Sequence, residues 1–188
     1  MRRPVAPNRL AGALAVGRLT LLAVALAGCG IGANGSPASF PLESVGPAAT
    51  VTGATAQTRG AIVSALSSVS AQFGDATRPY RPAESGRLRN APRAVYQVIL
   101  PDQPDAGYIV VYEFPDASLA VDAGNEEAGY LGTGPAKVQF PRDAQHILRE
   151  LGPTLILYSW SPSGSTDPTA ANVATALAAI GIGFSVPN

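Results

Sequence analysis

Beyond residue 54 the apolar positions follow two different periods. Ile62, Leu66, Val69 and Phe73 recur at offsets of 0, 4, 7 and 11, a single helical stripe with Ser and Gln opposite it. The stripe predicts a helix from about Thr55, stopped by Gly74. Residues 94–100 and 108–114 are instead rich in aromatic and β-branched side chains, and predict two strands around a Pro/Asp/Gly turn over 101–107. Asp116 follows a Pro and predicts an N-cap, because its carboxylate can accept the free amide protons of a first turn. The helix it opens runs over 117–128, with Leu119, Ala120 and Ala123 inward and Gly124 weakening it. Residues 129–134 form a Gly-rich loop, and 137–140 a short strand. Residues 145–151 and 154–160 predict a second hairpin around Gly152-Pro153. Asp167 caps a last helix, with Pro168 in the first position, where no amide donor is needed. Val173, Leu177 and Ile180 are its buried stripe, Gly181 ends it, and 183–186 adds a short strand.

The order is helix, two strands, helix, two or three strands, helix. Hairpins make the pairing mainly antiparallel. The expected fold is an α+β two-layer sandwich with helices on one face of the sheet, and a ferredoxin-like arrangement is the first expectation within that class. The connection over 75–93 interrupts the pattern. Pro79, Pro82, Gly86 and Pro92 deny it regular structure, and it carries Arg78, Arg81, Arg87, Arg89 and Arg93 against Asp75 and Glu84.

The chain ahead of residue 55 divides into two parts. Residues 1–28 contain Arg2, Arg3, Arg9 and Arg18, no acid, and a short apolar run over 19–26. That run is well below the ~20 residues a membrane-spanning helix needs, so it reads as a targeting signal. Residues 29–54 are Gly, Pro and small polar residues that cannot build a core, and read as a flexible tether. A single domain over 55–188 follows. The whole chain has 13 basic and 13 acidic residues. Taking the four signal arginines from the thirteen leaves nine, so the remainder is mildly acidic. That argues against nucleic-acid binding, which needs clustered positive charge. One Cys excludes an intrachain disulfide, and one His excludes a centre with two imidazoles. No metal or cofactor is expected.

The tetrad Leu26-Ala27-Gly28-Cys29 resembles the lipobox of bacterial lipoproteins. The resemblance implies cleavage before Cys29 and a diacylglyceryl group on its sulfur. A plain secretory signal with an incidental Cys is the alternative. Two acyl chains hold a protein on a membrane where one does not, at ~0.8 kcal/mol per buried methylene. Gly30, in place of Asp, tends to send such a lipoprotein outward in an envelope with two membranes, and the envelope type, hence inner or outer membrane, stays open. The layout beyond the tether, over about 55–181, is similar to a group of uncharacterised bacterial lipoproteins. The matching segments are Val111-Tyr112-Glu113-Phe114, Gly132-Thr133, His146-Ile147-Leu148-Arg149 and Leu155-Ile156-Leu157-Tyr158. The similarity implies an envelope location and an α+β domain, and it brings no assigned activity.

Several constellations are chemically suggestive. His146 is the only imidazole, a candidate general base or pH-sensitive contact, or simply a hydrogen-bonded strand residue. No nucleophile stands beside it in the sequence, and Ser159 or Ser161 pairs with it only by chance of the fold. Seven carboxylates between Asp102 and Glu127, without one Lys or Arg, suggest a Ca²⁺ site or a solvated acidic surface; the spacing fits no EF-hand. Residues 129–134 lack the Gly-Lys-Ser/Thr of a phosphate loop. Tyr96, Tyr108, Tyr112, Tyr158 and Trp160 fall on strands, as core or as a ligand groove. The arginine segment, with Tyr80, is the candidate binding surface. It can meet anionic lipid head groups, an acidic glycan or a partner's acidic patch, or pair with the acidic stretch at 102–127.

The expected protein is therefore a lipoprotein anchored through Cys29 on the extracytoplasmic side of a bacterial membrane. Its expected role is non-catalytic binding of a protein or envelope component. Two alternatives remain: a small-ligand carrier using an aromatic sheet face, and an envelope hydrolase with His146 as acid and base.

Overall fold

The computed structural model describes residues 52–187. In chain order the elements are α1 (Gly53–Ser67), β1 (Gln72–Asp75), α2 (Gly86–Asn90), β2 (Arg93–Ile99), β3 (Tyr108–Glu113), α3 (Ala117–Leu131), α4 (Gly134–Lys137), β4 (Gln145–Leu151), β5 (Thr154–Trp160), α5 (Ala170–Ala178) and β6 (Ile182–Gly183). The strands form one sheet in the order β1-β2-β3-β5-β4-β6, with every neighbouring pair antiparallel. The α+β class and the antiparallel sheet are as the hydrophobic pattern predicts. Both predicted hairpins are present, β2–β3 and β4–β5.

The helices do not gather on one face. Successive residues of β3 enter two separate cores: Ile109 and Val111 one, Val110 and Tyr112 the other. On β5, Ile156 and Tyr158 pack with the first core, Leu155 and Leu157 with the second. Helices α1 and α5 supply Ile62, Leu66, Val173 and Leu177 to the first core. Helix α3 supplies Ala120, Ala123 and Leu131 to the second, together with Leu88 of α2. The two-layer expectation is thus corrected to three layers. The reason lies in β3 and β5: a strand covered on both sides loses its polar alternation and becomes a continuous apolar run.

A ferredoxin-like arrangement is also not adopted, although β3-α3-β4 is split around β5 and β5-α5-β6 is split around β4. The last strand β6 lies beside β4 and not beside β3, α3 and α5 cover opposite faces, and β1 and β2 extend the other edge as a meander with β3.

Local departures have local causes. Helix α1 ends at Ser67, and the chain turns at Ser70, whose φ is +58°. Phe73 therefore leaves the helical stripe for β1, where it stands opposite Val98, and Gly74 lies inside that strand. Residues 137–140 are not a strand: Thr133 and Pro135 open the short helix α4, whose end places Phe140 against the second core. Helix α3 continues through Gly129 and Tyr130 to bury Leu131. The Pro-rich connection does contain a helix, α2, fixed by fully buried Leu88. Asp167 accepts from the amide of Thr169 at 2.8 Å in the turn ahead of α5, which begins at Ala170.

Gly124 lies where the chain's tail crosses α3. A Cβ there would sit 2.3 Å from the ring of Phe184. Gly181, with φ +51°, takes a left-handed turn that places it against the Glu150 carbonyl.

Candidate functional site

The arginine segment lies across the α3 side of β2 and β3. Tyr80 stacks on Tyr108 with ring centroids 4.2 Å apart. The centre of the segment is Glu84, whose side chain is 2% exposed. Its Oε1 accepts from Arg93 Nη1 at 2.7 Å and from the Tyr112 hydroxyl at 2.8 Å. Its Oε2 accepts from Arg81 Nε at 2.8 Å. Arg89 Nη2 donates to the Glu84 carbonyl at 3.3 Å, and Arg81 Nη2 to the Arg89 carbonyl at 3.3 Å. Arg78 pairs with Asp105 at 3.2 Å and Arg87 with Glu126 at 3.1 Å. Each of the five arginines is therefore engaged within the chain. Arg78 and Arg87 reach the acidic stretch, as the internal reading expects. Arg81 and Arg93 converge on a carboxylate of their own segment, a contact the composition alone does not suggest.

A second carboxyl is buried close by. Glu127 has no exposed surface; its Oε2 accepts from the Ser85 amide at 2.7 Å, while its Oε1 and the Ser85 hydroxyl have no partner. Burial pushes this carboxyl above the ordinary Glu range, helped by the nearby Glu84. Burial, with Glu84 next to it, also raises the Tyr112 hydroxyl, which keeps it a proton donor. Read as surface from composition, Glu127 is on the buried stripe of α3, seven residues after Ala120 and four before Leu131. That spacing is the signal by which it can be found.

His146 stands directly opposite Ser159 in the β4–β5 register, with Nδ1 2.8 Å from the hydroxyl oxygen. Phe140 meets the imidazole edge-on at 4.7 Å. Burial lowers the His146 pKa, favouring the neutral ring. Asp143 instead accepts from the Ser161 hydroxyl and the Ser163 amide, both at 2.7 Å. These bonds, the Ser161 hydroxyl first, bring its carboxyl down to about 2. The hairpin thus carries a His–Ser pair and a separate Asp–Ser pair.

The other acidic residues are dispersed. Asp116 caps α3 through the Leu119 amide at 2.9 Å. Glu113 accepts from the hydroxyls of Thr55, at 2.6 Å, and Thr52. Among the described residues no group of three or more His, Cys, Asp or Glu is placed to hold a metal ion. Tyr96, Tyr112 and Tyr158 are core residues, each at most 2% exposed.

An open groove of about 470 Å³ lies between α1 and β1, lined by Ala56, Arg59, Gly60, Val63, Asp75 and Tyr96. The Arg59 guanidinium carbon is 5.6 Å from the centre of the Phe73 ring and 5.8 Å from that of Tyr96. Motif reasoning passes over this site, because its parts come from a helix and two strands and share no spacing.

Cys29 and the segments around it lie outside the described residues. Among those described, no helix is long and apolar enough to cross a membrane. No protein-family model, curated protein or solved structure matches the chain.

Proposed function

We propose that the chain is an extracytoplasmic lipoprotein, held on a bacterial membrane by a lipid on Cys29, whose domain binds a protein or envelope component without catalysis. The observation that carries the reading is Leu26-Ala27-Gly28-Cys29: the one Cys of the chain, at the end of a short apolar run that follows four arginines. The domain geometry supports surface recognition over the alternatives. A carrier on the sheet face needs the strand tyrosines open to a ligand, and Tyr96, Tyr112 and Tyr158 are packed between layers. A hydrolase built on His146 needs a carboxylate to orient the imidazole, and its partner is the Ser159 hydroxyl.

Cys29→Ala tests the anchor. The variant is expected to keep the wild-type circular dichroism and melting temperature and to move from the membrane fraction to the soluble fraction. The mature wild-type chain is expected to begin at Cys29 and to carry a diacylglyceryl mass. Retention of the variant on the membrane after a salt wash overturns the reading.

A further inference from the structure

Among the described residues, strand β1 is an edge of the sheet, paired only with β2. The Ala76 amide donates to the Val95 carbonyl at 3.1 Å, which sets the alternation along the strand. Gln72 and Gly74 face β2, so Phe73 and Asp75 turn their backbone N–H and C=O groups outward. Such an edge is a template for another chain, and proteins usually block it with Lys, Pro or a bulge. The strand Gln72-Phe73-Gly74-Asp75 has neither Lys nor Pro, and a Cβ at Gly74 would meet nothing within 4 Å.

The groove beside this edge presents two donors, the exposed Arg59 guanidinium and the buried Tyr96 hydroxyl. Arg59 lies over two aromatic rings and, among the described residues, has no hydrogen bond or ion pair to a carboxylate. The Tyr96 hydroxyl is buried and unpartnered, in a residue 2% exposed. Leaving a buried polar group unmatched is costly, so such a group points to something that satisfies it. Val63, 43% exposed, adds an apolar wall.

We propose that this edge and groove take up an extended polypeptide segment of a partner protein bearing an acidic side chain. The proposal rests on the reading of the domain as a binding module. The segment pairs through its backbone with Phe73 and Asp75, which gives affinity, and its carboxylate meets Arg59 and the Tyr96 hydroxyl, which gives specificity. Asp75 stands directly opposite Tyr96 in the β1–β2 register and repels an acid on its own side of the ring, which draws the carboxylate toward Arg59 on α1. A small anion satisfies Arg59 and Tyr96 but leaves the outward backbone groups unpaired.

The test uses the full chain, purified in detergent micelles, and a random octapeptide library. Selection is expected to enrich peptides with one Asp or Glu among β-branched residues. Changing that acid to its amide, or Arg59→Gln, is expected to weaken binding about tenfold or more, while the melting temperature of the variant stays that of the wild type. Amide exchange at Phe73 and Asp75 is expected to slow about tenfold or more with peptide bound. Enrichment without an acidic preference overturns the proposal. So does acetate matching the peptide without protecting either amide, which marks a small-anion site. Amides already protected without peptide also overturn it, since the edge is then covered by the chain itself. None of these failures touches membrane retention through Cys29, which reports the anchor alone; the binding-module reading fails separately, if wild type cross-links no partner in cells. A partner cross-linked equally by wild type and Arg59→Gln in cells would keep that reading and remove the groove from it.

Discussion

The two faces of the sheet are closed by different means. On one, α1 and α5 lay apolar stripes against Ile109, Val111, Ile156 and Tyr158, and burial of hydrocarbon closes most of it, with threonine hydroxyls of α1 bonded to β3 and β5 at one end. On the other, α3 covers only part of the surface, and the rest is covered by a Pro-rich segment with one short helix. Such a segment has few internal backbone bonds to hold its shape. Its place is fixed by a buried carboxylate that gathers Arg81, Arg93 and Tyr112, and by Glu127 holding the Ser85 amide. A regular helix brings its own hydrogen bonds to a core, whereas an irregular cover has to find them in side chains.

The comparison is broken most severely at the polar centre. Glu84→Ala leaves two guanidiniums and a buried hydroxyl without their acceptor, and is expected to cost about 3–5 kcal/mol of unfolding free energy in urea titrations. On the other face, Leu177→Ala opens a cavity in a core made mainly of apolar side chains, with an expected cost of about 2–5 kcal/mol. The two differ in salt dependence: that of the Glu84 variant should change relative to wild type, while that of the Leu177 variant should not. Gly124→Ala drives a methyl into the Phe184 ring and should cost about 1–3 kcal/mol, with faster amide exchange confined to the tail beyond residue 181.

The smallest effect is the most diagnostic. Glu127 has a folded-state pKa raised above its ordinary value of about 4.5. The folded state therefore holds this proton more tightly than the unfolded chain. Its stabilising contribution is complete below the ordinary value and is lost as pH rises through the raised one. Glu127→Gln should remove that loss. The stability of the variant relative to wild type is expected to rise over this window and level off above it. A parallel pair of stability curves would show that Glu127 ionises as easily as an exposed acid.

Much of this was legible in the residues. Alternation and turn chemistry locate β2, β3, β4 and β5 to within a residue, and Asp116 caps α3 as its carboxylate predicts. The double coverage of the sheet was also written in the sequence, in the unbroken runs Ile109-Val110-Val111 and Leu155-Ile156-Leu157, but one-sided burial was the simpler reading. Phe73 fitted the helical stripe only because an offset of eleven matches three turns; the turn at Ser70 is set by packing, not periodicity. The arginine segment could be seen as a charge cluster, but its partner Glu84 could not be distinguished from any other acid, because what buries it is the fold of β3 beneath. The groove at Arg59 had no signal, since it exists only once α1 lies beside β1.

Where α1 begins has a mechanical consequence. Thr52 caps α1 and, with Thr55, is bonded to Glu113 at the end of β3; one turn on, Thr58 meets the Thr154 hydroxyl of β5 at 2.7 Å. These are the two central strands of the six. A pull on the chain ahead of Thr52 is therefore delivered to the middle of the sheet, where neighbours on both sides share the load. The short outer strands, four and two residues long, are spared the first of the strain.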